Sequence, residues 1–222
     1  MMMRDTRKDK TYFADYLEYQ YSIIAKKTSK YEQSTADPEK QQRILCTLTN
    51  YEVDLLKAEF SYGASQDDLR TRFIHALPYI SSYKNMTYDE LLTFLSLAIL
   101  LDAARDAKKL VSANMEMEKT DRLLHCFTAY INGNGITWDK SIPLNDTYAL
   151  MDPVFTSGNK EDAMKKYLEH WYDRHEYSYW YDAHKRDTDT YCGYWSFEAG
   201  AVAEILKLDL KKLSMLEYFP VF

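Results

Sequence analysis

The 222 residues predict an all-α fold, a helical bundle with a larger N-terminal bundle and a smaller C-terminal helical hairpin unit. Three observations carry that prediction. Six glycines and five prolines make up about 5% of the chain, against roughly 12% in average proteins, so turns are scarce. Apolar residues recur at spacings of three and four through one segment after another. Residues that start and stop helices bracket those segments. With 46% apolar and 28% charged residues, the chain has material for both a buried core and a solvated surface.

The first helix is expected over about Asp5 to Ser29, where Tyr12, Tyr16, Tyr19 and Ile23 form an apolar stripe. The second opens at Asp37, an N-cap residue, with Pro38 at the first helical position and Glu39 where the dipole favours an acid. Leu45, Leu48, Tyr51 or Glu52, Leu55 and Leu56 carry one face to Phe60, and Gly63 supplies a left-handed cap. A third helix starts near Gln66 and holds Leu69, Phe73, Ala76 or Leu77, and Ile80, with Pro78 implying a kink or an early stop. Thr87 and Glu90 form a capping box before the run Leu91 to Leu101, which is apolar all round and reads as the central buried helix. "EMEKTDRLLHCFTAYI" (116–131) makes another amphipathic helix, stopped by "NGNG" at 132–135. These elements give an N-terminal bundle over 1–135, a linker over 136–158 with one short helix near Leu144–Met151, and a C-terminal domain over 159–222. The last contains helices over about Lys160–Tyr177 and Tyr194–Leu208 and a short terminal piece ending "EYFPVF".

The net charge of −6 is uneven. Residues 1–30 hold seven bases against four acids, +3, and the remainder therefore carries −9. An acidic body repels nucleic acid and attracts basic proteins. The longest apolar run, Leu91 to Leu101, falls short of the roughly 18 residues a membrane span needs. Met1 to Lys10 is charged, without the apolar core of a signal peptide, so a soluble protein that stays in the cytosol is expected. Cys46, Cys126 and Cys192 are too scattered for a disulfide framework or a zinc motif and read as small buried hydrophobes.

No catalytic constellation stands out. His170, His175 and His184 lie near Asp173, Glu176 and Asp182, yet His170 and His175 are five apart, about 140° around a helix, and do not face one ion. No G-x-S-x-G elbow and no phosphate-cradling glycine loop is present. Cys192, beside Gly193 and near His184, has only the following helix N-terminus to lower its pKa. The paired acids Glu116/Glu118 and Asp187/Asp189 read as solvated faces.

The stretch "YWYDAHKRDTDTYCGYWSFEAGAVAEIL" (179–206) is the densest in polar and aromatic groups. As a helix, 194–208 sets Trp195, Ala199, Val202 and Leu206 on one stripe and leaves Glu198 partly buried. A buried carboxylate needs partners, and His184, Lys185, Tyr181 and Tyr191 are the ones the sequence offers. "YWYDAHK" and "YCGYWSFEAGAVAEILKLD" closely resemble the C-terminal signature of the polymorphic nuclease immunity (PoNi) family, at Tyr181, His184, Lys185, Tyr191, Gly193, Tyr194, Trp195, Glu198, Ala199, Ala201 and Leu208. "LLKAEFSYGAS" (55–65) is similar to that family's N-terminal helix and Ser-Tyr-Gly turn. The ending "LDLKKLSMLEYFPVF" departs from the two adjacent acids and Tyr-Pro-Tyr-Asp-like close of similar proteins.

The resemblance implies an all-α inhibitor that binds a cognate DNase toxin delivered by type VI or type VII secretion. The residues agree, since they offer no catalytic set, and no cofactor, nucleic acid or membrane is expected as a partner. The acidic body and 20 tyrosines suit an interface with a basic protein. Asp182, Asp187, Asp189, Glu116 and Glu118 are the expected toxin contacts. Two other readings stay open, an acidic scaffold with a different protein partner and a metal-dependent enzyme using His170, His175 or His184.

Overall fold

The computed structural model describes residues 2–222, which form eleven α-helices and no β-strand among them. The chain divides into two interleaved units. One gathers the chain up to Phe94 with Asp182–Gly193, and the other joins Leu95–Tyr181 to Tyr194–Phe222.

The first unit is built on an antiparallel hairpin of α1 (Lys10–Glu32) and α2 (Pro38–Tyr62), followed by α3 (Gln66–Ile80) and the first half of α4 (Tyr88–Leu100). Caps set these boundaries. Asp9 accepts from the Tyr12 amide at 2.8 Å, Asp37 from Lys40 at 2.9 Å and Ser65 from Asp68 at 3.1 Å. Gly63 takes the expected left-handed conformation at φ 104°, and the Ala64 amide closes α2 on the Glu59 carbonyl. The Thr87–Glu90 box is reciprocal, with bonds of 3.3 and 2.6 Å.

Two expectations shift. α1 starts at Lys10 rather than Asp5, because Asp9 supplies the cap, and its buried face is Phe13, Tyr16, Leu17, Gln20 and Ile24. The period is as read but the phase moves by a residue, leaving Tyr19 56% exposed. Pro78 does not stop α3, which runs on to Ile80, since a proline so near the C-terminus disrupts little of the ladder.

A polar cluster lies inside this unit. Arg72 donates to both oxygens of Glu52 at 2.6 Å, and Tyr21 donates to Glu59 Oε1 at 2.5 Å. Glu59 Oε2 is buried without a hydrogen bond. Burial pushes the Glu59 carboxyl above its ordinary range, opposed by Tyr21 and Arg72 and aided by Glu52 and Asp68. A carboxyl raised on folding contributes stability that is full below its unfolded pKa and lost as pH rises through the folded one. Glu59→Gln should therefore unfold at a higher urea midpoint than the parent at pH 8, with a smaller difference at pH 4. Equal pH slopes for parent and variant would contradict this.

In the second unit α4 continues as the expected buried core helix, from Leu95 through Ile99. Asp102, at φ 49°, ends it, with the Ala103 amide bonding back to Ala98. There follow α5 (Lys108–Ala113), α6 (Met115–Glu118) and α7 (Arg122–Ile131). The single helix expected over 116–131 is broken because Asp121 is extended and caps the Leu123 and Leu124 amides. Its other oxygen takes the Asn145 amide at 2.7 Å. Within 136–158 the chain forms a 3-10 turn (Asp146–Met151) and α8 (Asp152–Thr156). Arg122 pins this segment through the carbonyls of Asp139, Lys140 and Ile142 and an ion pair with Asp152 at 2.7 Å.

α9 (Lys160–Trp171) is shorter than expected. At its end the His175 amide bonds to the Tyr172 carbonyl while the imidazole takes the Trp171 carbonyl at 2.6 Å, tightening the chain into a 3-10 turn. α10 (Phe197–Leu206) starts three residues later than expected, because the Ser196 amide is drawn to the Tyr218 carbonyl at 2.8 Å. A last turn, α11 (Leu210–Leu213), precedes the terminal segment. No helix among the described residues is long and apolar enough to cross a membrane.

Candidate functional site

The structure divides the signature stretch between the two units at Gly193, whose φ of 112° only glycine adopts without strain.

Its first part, Asp182–Gly193, is sewn into the N-terminal unit. The Tyr12 hydroxyl donates to the Tyr191 carbonyl and accepts from the Tyr191 amide, both at 2.9 Å, so one phenol satisfies both backbone groups. The Tyr191 hydroxyl donates to Asp5 in a short bond, and Arg7 pairs with the same carboxylate at 3.2 Å. Asp5 is 1% exposed. Burial raises the Tyr191 phenol, and Asp5 adds to the rise, so it stays protonated and donates to that carboxylate. Ser61 Oγ lies 2.8 Å from the Cys192 carbonyl. The Cys192 thiol is buried beside Asp54, and both burial and that charge raise its pKa, the opposite of what a nucleophile requires. His184 is lowered by burial and by Lys185, and its ring lies 5.9 Å from Tyr191.

The second part, Tyr194–Glu198, belongs to the other unit. Glu198 is buried, as expected, but its partners are different. Tyr167 Oη, Trp171 Nε1 and Ser196 Oγ each donate to its Oε1 at 2.6 Å. These take the place of His184, Lys185, Tyr181 and Tyr191, which find partners elsewhere, Lys185 on Asp182 at 2.8 Å and Tyr191 on Asp5. Trp195 precedes α10 and is not on its buried stripe. Around Glu198 lies an aromatic cluster. Tyr172 stacks on Tyr181 at 4.5 Å and on Tyr218 at 5.6 Å, Trp171 stacks on Trp180 at 5.4 Å, and Tyr194 packs against Tyr172 at 5.0 Å. Helix α10 comes so close to the terminal segment that a Cβ on Gly200 would lie 2.6 Å from the Pro220 ring.

The histidines do not form a set. His175 is buried, its nitrogens on Trp171 O and, at 3.4 Å, on Tyr148 Oη. His170 is exposed on α9 with Nδ1 on the Lys166 carbonyl, and His184 belongs to the other unit. Among the described residues no three His, Cys, Asp or Glu side chains converge to hold an ion.

Of the acids singled out from the sequence, Asp187 and Asp189 are exposed in the loop 186–190. Asp182 is half-buried and paired with Lys185. Glu116, on α6, is exposed and paired with Lys119 at 2.8 Å, and Glu118 beside it is half-buried. Asp5, Arg7, Tyr167 and Trp171 hold the signature in place without any cue in the sequence, and so do Tyr12, expected only as part of the α1 stripe, and Ser61, expected only as part of a turn. Nothing local marks them, since Tyr12 and Tyr191 are 179 residues apart.

Family models described as the N-terminal and C-terminal domains of PoNe immunity proteins (PoNi) match residues 4–112 and 119–221. Among solved structures, the crystal structure of protein PA2201 from Pseudomonas aeruginosa is similar, with a TM-score of 0.64 and 17% identity, covering 93% of this chain and 85% of that one. At that identity the likeness speaks to the fold alone. No curated protein matches the sequence.

Proposed function

This chain belongs to the family of PoNe immunity proteins (PoNi), immunity proteins against polymorphic nuclease toxins, and from that premise we propose that it neutralises a cognate DNase toxin in the cytosol by covering its basic DNA-binding and active-site face. The observation that carries this reading is the match of both family domains across nearly the whole chain. The chemistry of the surface supports it. A DNase presents positive charge to its substrate, and an acidic protein with a net charge of −6 complements that charge and competes with DNA for it. The buried polar groups of the signature are engaged in holding the fold, which fits an inhibitor that acts by binding rather than by catalysis.

Among the acids, Asp187 and Asp189 are the strongest proposed contacts, being exposed in one loop. Asp182 and Glu116 already share their charge with a neighbouring lysine, and with Glu118 they contribute more to the general field. The decisive experiment is co-expression with the cognate nuclease toxin, sought among the neighbouring genes. The chain should rescue growth and co-purify with the nuclease, and failure of both overturns the reading. Asp187→Lys with Asp189→Lys should slow association by about tenfold at low ionic strength and by much less at high salt, at an unchanged melting temperature. Stopped-flow mixing at two salt concentrations checks this.

A further inference from the structure

We propose that the cleft at the C-terminal end of α9 receives an arginine side chain of the bound nuclease. This rests on the immunity reading above and names an anchor point within it. The cleft measures about 380 Å³ and lies within the second unit, with Lys165, Glu169, Tyr172 and Asp173 on one wall and Glu217 and Tyr218 on the other. That is near the lower end of small-ligand pockets, about 300–1,000 Å³, and accommodates one long side chain rather than a folded element.

Three features select a cation. Glu169, Asp173 and Glu217 set three negative charges against the single positive charge of Lys165. The wall includes the last turn of a 12-residue helix, whose dipole places partial negative charge there. Tyr172 and Tyr218 line the cleft beside these carboxylates with ring planes 10° apart, giving it an aromatic wall.

The arrangement is also held in readiness. Tyr218 sits at φ 67°, a left-handed conformation that a tyrosine keeps only when its surroundings enforce it. Its carbonyl is fixed by the Ser196 amide at 2.8 Å. Lys165 reaches Glu169 at 3.8 Å, with both side chains half-exposed, an ion pair of the kind that contributes little and yields easily. A guanidinium can pair with carboxylates through two nitrogens while lying on an aromatic ring, which an ammonium cannot, so arginine is the better occupant.

The test uses the full chain and the nuclease identified by that co-expression in surface plasmon resonance. Asp173→Asn with Glu217→Gln should speed dissociation at least tenfold, while Lys165→Ala, which removes the competing cation, should slow it severalfold. Asp67→Asn, an exposed acid on α3, should change it less than threefold. Melting temperatures should match the parent's, because all these side chains are at the surface. If the parent binds and the Asp173/Glu217 variant dissociates within threefold of it, the cleft proposal falls and the immunity reading stands. If the parent does not bind, both fall.

Discussion

Glu198→Ala is expected to destabilise the protein by about 4 kcal/mol, lowering the melting temperature by roughly 8–16 °C. The magnitude follows from what the carboxylate leaves behind. Three donors converge on its Oε1, a phenol, an indole and a hydroxyl, each at 2.6 Å. Tyr167 is fully buried, so no water replaces the lost acceptor without rearrangement. Each stranded donor costs about 1–3 kcal/mol, and the total falls below the sum because the three share one atom. Glu198→Gln keeps an oxygen there and should recover more than half of the loss. Thermal melts followed by circular dichroism read both variants, and a shift under about 3 °C for the alanine variant would contradict the assignment.

Glu52→Ala is expected to have the next largest effect, about 3 kcal/mol. Glu52 is 1% exposed and takes two bonds from Arg72 at 2.6 Å. Burial raises the Glu52 carboxyl while Arg72 opposes the rise, so the pair offsets a desolvation penalty rather than adding a surplus. Removing one member strands the other, and the estimate sits at the low end because the Arg72 side chain keeps 16% exposure. Replacing both, Glu52→Leu with Arg72→Met, should recover most of the stability. Urea unfolding of the two variants distinguishes these outcomes, and a double variant as unstable as the single one would refute the account.

The structure follows the sequence most closely where the cue is local. Asp37, Pro38 and Gly63 bracket α2 as their chemistry dictates, and the Thr87–Glu90 box forms as written. Periodicity placed the stripe of α1 one residue from its true position, since tyrosines populate both faces and only packing chooses between them. The break at Asp121 was hidden because an aspartate inside a helical pattern declares itself a cap only when its own backbone is extended. Family resemblance at residues 181–208 and 55–65 extends to both matched domains. Yet the residues that hold Glu198 and Tyr191 come from segments that no spacing rule links to them. A carboxylate's need for donors is legible in one dimension, whereas their identity is a property of three.

The stitching of Tyr191 to Tyr12 and Asp5 has a consequence in time. These bonds span 179 and 186 residues, so a ribosome delivers one side of each long before the other. At about 5–20 residues per second the interval is on the order of 10–40 s. Throughout it the nascent N-terminal helices lack the segment that completes them, and Asp5 waits without its phenol. The first unit is thus completed only once Tyr191 has been made and is threaded back onto Tyr12 and Asp5.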